Sequence, residues 1–314
     1  MPNKILISTS SFDISASASL KRIAEKGFEI IQNPYGRRLT EAEVGDLLKR
    51  GMMGMIAGVE PLTRSVLMGA EDLRVISRCG IGMDSVDVIA AKEKNIWVAN
   101  TPNAPGKAVA ELTLGLMLDL LRHISEADRG IRANRWRQLM GKLMSEQTVG
   151  IIGYGRIGKQ VAQLLKAFGT HVLIYDKYAT PADPDVEFCS IDYLIAQADV
   201  VTLHVPYVPD THYLLNEQQL NGMKKGALVI NVSRGGLIDE EALLAALASG
   251  HLAGAALDCF EDEPYQGALA KLDQVILTAH MGSYAKEARV LMEQEAADNL
   301  LQGLLEQGCL VLEE

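Results

Sequence analysis

The sequence predicts an α/β protein of two doubly wound, parallel-sheet domains with a cleft between them. Three observations carry this. Short apolar runs of strand length recur along the chain, separated by helical stretches of ten or so residues. That alternation is the pattern of right-handed β-α-β crossovers. One such run, Thr148-Val149-Gly150-Ile151-Ile152, leads into Gly153-Tyr154-Gly155-Arg156-Ile157-Gly158 and then into a helix. The chain has 314 residues, about enough for two domains.

The elements follow in order. Residues 4–9 read as a first strand, 16–26 as a helix, and 28–32 as a strand stopped by Asn33-Pro34. Thr40 followed by Glu43 has the form of a capping box, so a helix starts there. Further strands are expected at 53–57, 73–78 and 96–99. From about Pro102 the pattern changes to two long helical stretches, 108–123 and 125–134, with no strand between them. After the glycine turn, strands are expected near 149–152, 172–175, 200–205, 228–232, 254–257 and 275–278. Six strands with intervening helices match a full dinucleotide-binding sheet. One helix, 284–307, is then left over, and is expected to return to the first sheet. The predicted domains are therefore 1–101 plus 285–314, and 102–284.

Bulk properties narrow the function classes. Apolar residues make up 48% and charged residues 22%, ordinary globular usage that allows a sizeable core. The net charge of −10 disfavours nucleic acid, whose binding rests on neutralising phosphates with Lys and Arg. A small anion held by one or two local arginines stays open. Cys79, Cys189, Cys259 and Cys309 lie far apart with no C-x-x-C pair, and the six histidines are scattered. Reduced thiols and no metal site are expected. The N-terminus lacks the apolar core of a signal peptide, and the longest apolar stretch, around 112–121, is interrupted by Asp119. A buried helix rather than a membrane span is expected there, in a cytoplasmic protein.

The glycine turn carries the first functional reading. In G-x-G-x-x-G, Gly153 permits the tight turn, Gly155 lets a pyrophosphate approach the backbone, and Gly158 lets helix and strand pack closely. The pyrophosphate is placed at the helix N-terminus, where N–H groups and the helix dipole favour negative charge. Asp176 follows Gly158 by 18 positions, at the end of the next strand. That is close to the spacing of a ribose-binding acid. It would repel a 2′-phosphate, which favours NAD over NADP, although the adjacent Lys177 could soften the preference.

Polar residues gather at the carboxyl ends of the later strands, where open α/β sheets bind ligands. They include His204 before Val205-Pro206, Arg234 in Asn231-Val232-Ser233-Arg234-Gly235-Gly236, Glu263 after Asp258, and His280 before Met281-Gly282. Such an Arg, Glu and His suit hydride transfer coupled to proton transfer. Histidine is the default base near neutral pH. A neighbouring carboxylate fixes its tautomer and stabilises the imidazolium. Arginine holds a carboxylate bidentately.

With these residues in place, the chain resembles the D-2-hydroxyacid dehydrogenases, a family that includes phosphoglycerate, D-lactate, glyoxylate/hydroxypyruvate and formate dehydrogenases. The likeness rests on Arg78 to Asp87, Asn100-Thr101-Pro102 with Val109-Ala110-Glu111, Gly153 to Gly158, Asn231 to Gly236, Asp258 to Pro264, and His280 to Ser283. It implies two Rossmann-like domains, the first a substrate domain and the second an NAD-binding one, and a homodimer formed through the latter. It implies Arg234 as carboxylate clamp, His280 as acid/base and Glu263 as its partner. Arg78 and the N–H groups near Ile81 and Gly82 would bind substrate, the latter as an anion nest. Arg156 and Ile157 would lie at the pyrophosphate. Val205, Pro206 and Thr211 would line the adenosine side, and Val232, Asp258 and Gly282 the nicotinamide side. Tyr154, His204 and Ser233 complete the candidate cofactor contacts.

The implied activity is interconversion of a small 2-hydroxy acid and its 2-oxo acid with NAD(H). Two departures from the family pattern bear on the substrate. Pro105 stands where many members have Asn. The loop after the third strand, Ala57-Gly58-Val59-Glu60-Pro61, has an acid where phosphoglycerate enzymes commonly carry an arginine. Arg78 and Lys107 could supply positive charge, so a phosphorylated substrate is possible but not favoured. Specificity is expected from residues 57–60, 78–83 and 103–107 and from Trp136. The competing readings are phosphoglycerate dehydrogenase proper, a related formate or phosphite enzyme, and an NAD(H)-sensing protein like the C-terminal-binding-protein corepressors. A compact end at Glu314, with no disordered tail, leans against the last.

Overall fold

The structure is a computed structural model that describes residues 3–10, 12–179 and 186–311. The chain divides into two compact units, Met1–Pro105 with Ala285–Glu314, and Gly106–Tyr284. Each is an α/β unit around a parallel sheet, the architecture that the alternation of strands and helices predicts.

In the first unit the order is β1 (Lys4–Ile7), α1 (Ala18–Glu25), β2 (Glu29–Gln32), α2 (Glu41–Leu48), β3 (Met52–Ala57), α3 (Arg64–Gly69), β4 (Val75–Arg78), α4 (Val88–Glu93) and β5 (Trp97–Asn100). The strands pair in parallel as β2-β1-β3-β4-β5. Helix α2 opens with the capping box. The Thr40 hydroxyl accepts from the Glu43 N–H at 3.3 Å, and the Glu43 carboxylate accepts from the Thr40 N–H at 2.9 Å. The chain's last helix, Lys286–Glu306, packs on this same sheet. Its Met292, Ala296, Leu300 and Leu304 share one buried cluster with Ile5, Ile7 and Val75.

The second unit opens with α5 (Gly106–Arg122) and α6 (Ile124–Arg132). Then come β6 (Thr148–Ile152), α7 (Arg156–Ala167), β7 (His171–Tyr175), β8 (Glu187–Phe188), α8 (Ile191–Gln197) and β9 (Val200–Leu203). The unit is completed by α9 (Glu217–Gly222), β10 (Leu228–Asn231), α10 (Glu240–Ala248), β11 (Gly254–Leu257) and β12 (Val275–Leu277). The sheet order is β12-β11-β10-β9-β6-β7-β8, all parallel. The chain winds outward from β6 through β7 to β8, then crosses back to β9 and winds the other way. The reversal between β6 and β9 is the topological switch point, where open α/β sheets hold ligands beyond the strand ends.

The structure differs from the sequence reading in the number of strands in the second sheet and at several element ends, the first strand stopping at Ile7 and the fourth starting at Val75. The described sheet has seven strands where six are predicted. The extra one, β8, is two residues long and pairs only with the edge of β7, too short to leave a period in the sequence. The predicted strands 200–205 and 228–232 end at Leu203 and Asn231. Val205 and Val232 thus belong to rim loops, although their apolar side chains read as strand. Among the described residues, no helix is long and apolar enough to cross a membrane. Among the same residues, no three His, Cys, Asp or Glu side chains are grouped to hold a metal ion.

Candidate active site

The glycine turn is built as its spacing requires. Gly153 has φ +102°, a backbone region that only glycine enters freely. A Cβ on Gly158 would stand 2.0 Å from the Gly153 carbonyl oxygen, so α7 packs this tightly on the turn only with glycine there. Beside Gly155, at the N-cap of α7, nothing lies within 4 Å of where a Cβ would be. The helix start is therefore open to an approaching group. Arg156 is exposed and Ile157 half-buried in its first turn. The Tyr154 ring is buried edge-on against Phe188, leaving the backbone to face the turn.

Asp176 is held beside this turn by the backbone. Its Oδ2 accepts the Tyr154 N–H at 2.6 Å, and its Oδ1 accepts those of Tyr178 and Ala179 at 2.7 and 2.9 Å. Burial alone would raise its pKa, but the three N–H donors outweigh burial and hold it below the usual carboxylate value. A carboxylate has about four acceptor positions, so room for a ribose hydroxyl remains. Lys177 is turned away to Asp210, at 3.2 Å. On the facing loop, the Thr211 hydroxyl accepts the Val208 N–H at 2.9 Å and lies 2.8 Å from the Pro206 carbonyl, which fixes the turn bearing Val205 and Pro206. His204 lies beneath the glycine turn. Its carbonyl oxygen would be 2.5 Å from a Cβ on Gly153. Its Nε2 is 3.0 Å from the Thr202 hydroxyl, and burial depresses its pKa to about 3. The imidazole is therefore neutral.

Of the Arg, Glu and His of the rim, Glu263 and His280 meet directly, and Arg234 lies on the loop that packs against the one bearing Glu263. Asn231, at the end of β10, organises the loop that follows. Its side chain accepts the Ser233 N–H at 3.0 Å and donates to the Arg234 carbonyl at 2.7 Å. The Ser233 hydroxyl donates to Leu203 O at 2.9 Å, tying this loop to β9. Gly235 brings it against the next loop, since a Cβ there would stand 1.9 Å from the Phe260 carbonyl oxygen. The buried Cys259 thiol completes the junction by donating to Ser233 O at 3.3 Å. Glu263, on that second loop, accepts the Phe260 N–H at 3.2 Å. Its two oxygens lie 2.9 and 3.0 Å from His280 Nδ1. A carboxylate so placed assigns the proton to Nδ1 and leaves Nε2 as the nitrogen that exchanges protons.

His280 itself is strained, with φ +50°. A left-handed non-glycine residue costs roughly 1–2 kcal/mol. Asp258 offsets this. It is fully buried, and accepts the Thr278 hydroxyl at 2.6 Å, the Met281 N–H at 2.8 Å and the Gly282 N–H at 2.8 Å. Hydrogen bonds to a charged group contribute about 1.5–3 kcal/mol each, so the strain is more than covered. Asp258 was singled out from sequence for the nicotinamide side, beside Val232 and Gly282. Its anchoring of the histidine turn, and the roles of Asn231 and Thr278, escaped the sequence reading. An Asn opening a loop two residues before its own acceptor contact is the one signal that could have flagged them.

In the first unit, Arg78 ends β4 and is buried, and its guanidinium donates to the Cys79 carbonyl. The loop that follows is pinned from β5 and the residue after it. Gly80 N–H donates to the Thr101 hydroxyl at 2.7 Å, and the Asn100 amide donates to Ile81 O at 2.6 Å. Ile81 and Gly82 are half-buried there. Glu60, in the loop after β3, is buried and accepts the Gly58 N–H at 3.0 Å and the Ser8 hydroxyl. Lys107 is exposed and faces Glu111 at 3.9 Å, and Trp136 is also exposed.

Residues 114–282 match the family described as D-isomer specific 2-hydroxyacid dehydrogenase, NAD binding domain. The chain belongs to this family. Among relatives, it is 42% identical over 258 residues to the D-3-phosphoglycerate dehydrogenase of Methanocaldococcus jannaschii, covering 80% of this chain and 49% of that protein. It is 37% identical over 256 residues to the hydroxypyruvate reductase of Thermotoga maritima, covering 80% and 84%. The chain spans about half the length of the phosphoglycerate dehydrogenases it matches. A D-lactate dehydrogenase from Aquifex aeolicus, solved with NAD and lactic acid, superposes with a TM-score of 0.84 at 27% identity, covering 97% of both chains. As a D-2-hydroxyacid dehydrogenase family member, the protein carries its NAD-binding domain in the second unit.

Asp258→Asn would put an amide NH₂ where one of three donors now finds an oxygen. It should cost about 1–3 kcal/mol of stability, read by urea denaturation. An unchanged midpoint would mean that the His280 turn holds itself.

Proposed function

We propose that the protein is an NAD-dependent D-2-hydroxyacid dehydrogenase that interconverts a small, unphosphorylated 2-oxo acid and its D-2-hydroxy acid. The observation that carries this is the Glu263–His280 pair, one loop from Arg234, on the rim of a dinucleotide-binding sheet. When bound, the nicotinamide supplies or accepts the hydride. Arg234 holds the substrate carboxylate; in the first unit, the N–H groups near Ile81 and Gly82 and Arg78 are the candidate substrate contacts. His280 Nε2–H gives its proton to the carbonyl oxygen as that oxygen becomes a hydroxyl, and takes it back in the oxidative direction. Glu263, facing Nδ1, stabilises the imidazolium that the reaction needs. The residues fit the cofactor. Gly155 leaves the helix start open, Asp176 keeps its charge beside the ribose position, and Val205, Pro206 and Thr211 sit on a fixed turn. Val232, Ser233, Asp258 and Gly282 stand toward the nicotinamide end. Asp176 makes NAD preferred over NADP.

Glu60 supports an unphosphorylated substrate, because a buried acid in that loop opposes a phosphate. The name of the Thermotoga relative, hydroxypyruvate reductase, points the same way. A panel of 2-oxo acids with NADH, followed at the nicotinamide absorbance, should show turnover with hydroxypyruvate or glyoxylate. It should show weaker turnover with the phosphorylated analogue of hydroxypyruvate. His280→Ala should lower kcat by about 10²–10⁴-fold with NADH binding retained. Activity near the wild-type level in that variant would refute the acid/base role.

A homodimer through the second unit is also proposed. Ile124, Ile131, Trp136, Met140 and Leu143 are exposed apolar side chains within one stretch of that unit, a patch suited to self-association. Sedimentation equilibrium should give twice the chain mass, and Trp136→Glu with Met140→Glu should give one. A wild-type monomer at micromolar concentration would contradict it.

A further inference from the structure

Lys177 and Asp210 come from different loops. Lys177 follows β7, and Asp210 lies in the short turn Pro209–Thr211 after β9. In the sheet, β7 and β9 flank β6 on opposite sides, and β6 is the strand that runs into the glycine turn. The Lys177 Nζ–Asp210 Oδ2 pair, at 3.2 Å, therefore joins the two loops across the carboxyl end of β6. That is the crevice in which a doubly wound sheet receives a dinucleotide. The lysine also stacks its ammonium 5.6 Å from the Tyr178 ring centre. Asp210 is placed by a turn that Thr211 ties at two points, to Val208 and Pro206. Immediately before Lys177, Asp176 is locked by three backbone N–H groups and cannot swing aside. A second nearby cation, Lys159, lies 5.6 Å from the Tyr154 ring centre.

We infer that Asp210 is a specificity-determining residue for the cofactor. By pairing with Lys177 across the crevice, it withholds the cation that a ribose 2′-phosphate would need. This rests on the dinucleotide reading of the glycine turn with the ribose at Asp176. The sequence alone puts Lys177 in position to favour NADP, and the fold removes it. The pair is exposed on both sides, so it contributes little to stability, and its effect is felt on the ligand that competes with it.

The test is the ratio of NADPH to NADH dissociation constants, read by nicotinamide fluorescence, which needs no substrate. Asp210→Asn should tighten NADPH relative to NADH by roughly tenfold, the size of one charge-assisted contact. Adding Lys177→Ala should abolish that gain, and thermal melting should show all variants folded. A ratio that moves less than about twofold in Asp210→Asn would overturn the inference. So would a gain that survives in the double variant, since it would then come from lost repulsion alone. Failure of the underlying reading looks different: the wild-type protein would bind NADPH the more tightly, or Asp176→Ala would leave the ratio unchanged.

Discussion

The contact on which the rest of the site depends is the one between Glu263 and His280 Nδ1, 2.9 Å long. It is short only because three separate backbone conditions hold. Gly235 lets the Arg234 loop sink against the Phe260 carbonyl. The Glu263 side chain is braced by the Phe260 N–H. The His280 turn is kept left-handed by a buried aspartate that takes both following N–H groups. The left-handed turn costs roughly 1–2 kcal/mol, and the hydrogen bonds to Asp258 offset it. The outcome is an imidazole with one nitrogen committed to a carboxylate and the other available for chemistry.

The same economy of backbone contacts governs the cofactor end. Asp176 holds its charge because the turn beside it also supplies its hydrogen bonds. His204 is the counterpart: a histidine at a strand end, neutral because its ring is buried. Two histidines follow strands of one sheet, one buried beside the Thr202 hydroxyl and the other facing the Glu263 carboxylate.

Much of this was legible in the sequence, and the limits are physical. The glycine turn, Asp176 and the Arg234, Glu263 and His280 set could be placed because strand, turn and helix signals are local, and strand ends converge in any doubly wound sheet. Gly235 could not be read as a close-approach glycine, because the atom it avoids belongs to a loop 25 positions later. Asp258 was legible as a rim residue, but its hold on His280 depends on the register of β11 with β12. Lys177 read as a free neighbour of Asp176, and only the order β9-β6-β7 brings Asp210 to it. Strand β8 left no trace at two residues.

The central claim is that Glu263 fixes His280 as the Nδ1–H tautomer, leaving Nε2 for the substrate. Nitrogen-15 NMR of histidine-labelled protein, with His280 assigned by substitution, tests it directly. In the neutral ring Nδ1 should show the shift of a protonated nitrogen and Nε2 that of an unprotonated one, and Glu263→Gln should erase the preference. A neutral wild-type ring that carries its proton on Nε2 would contradict the account.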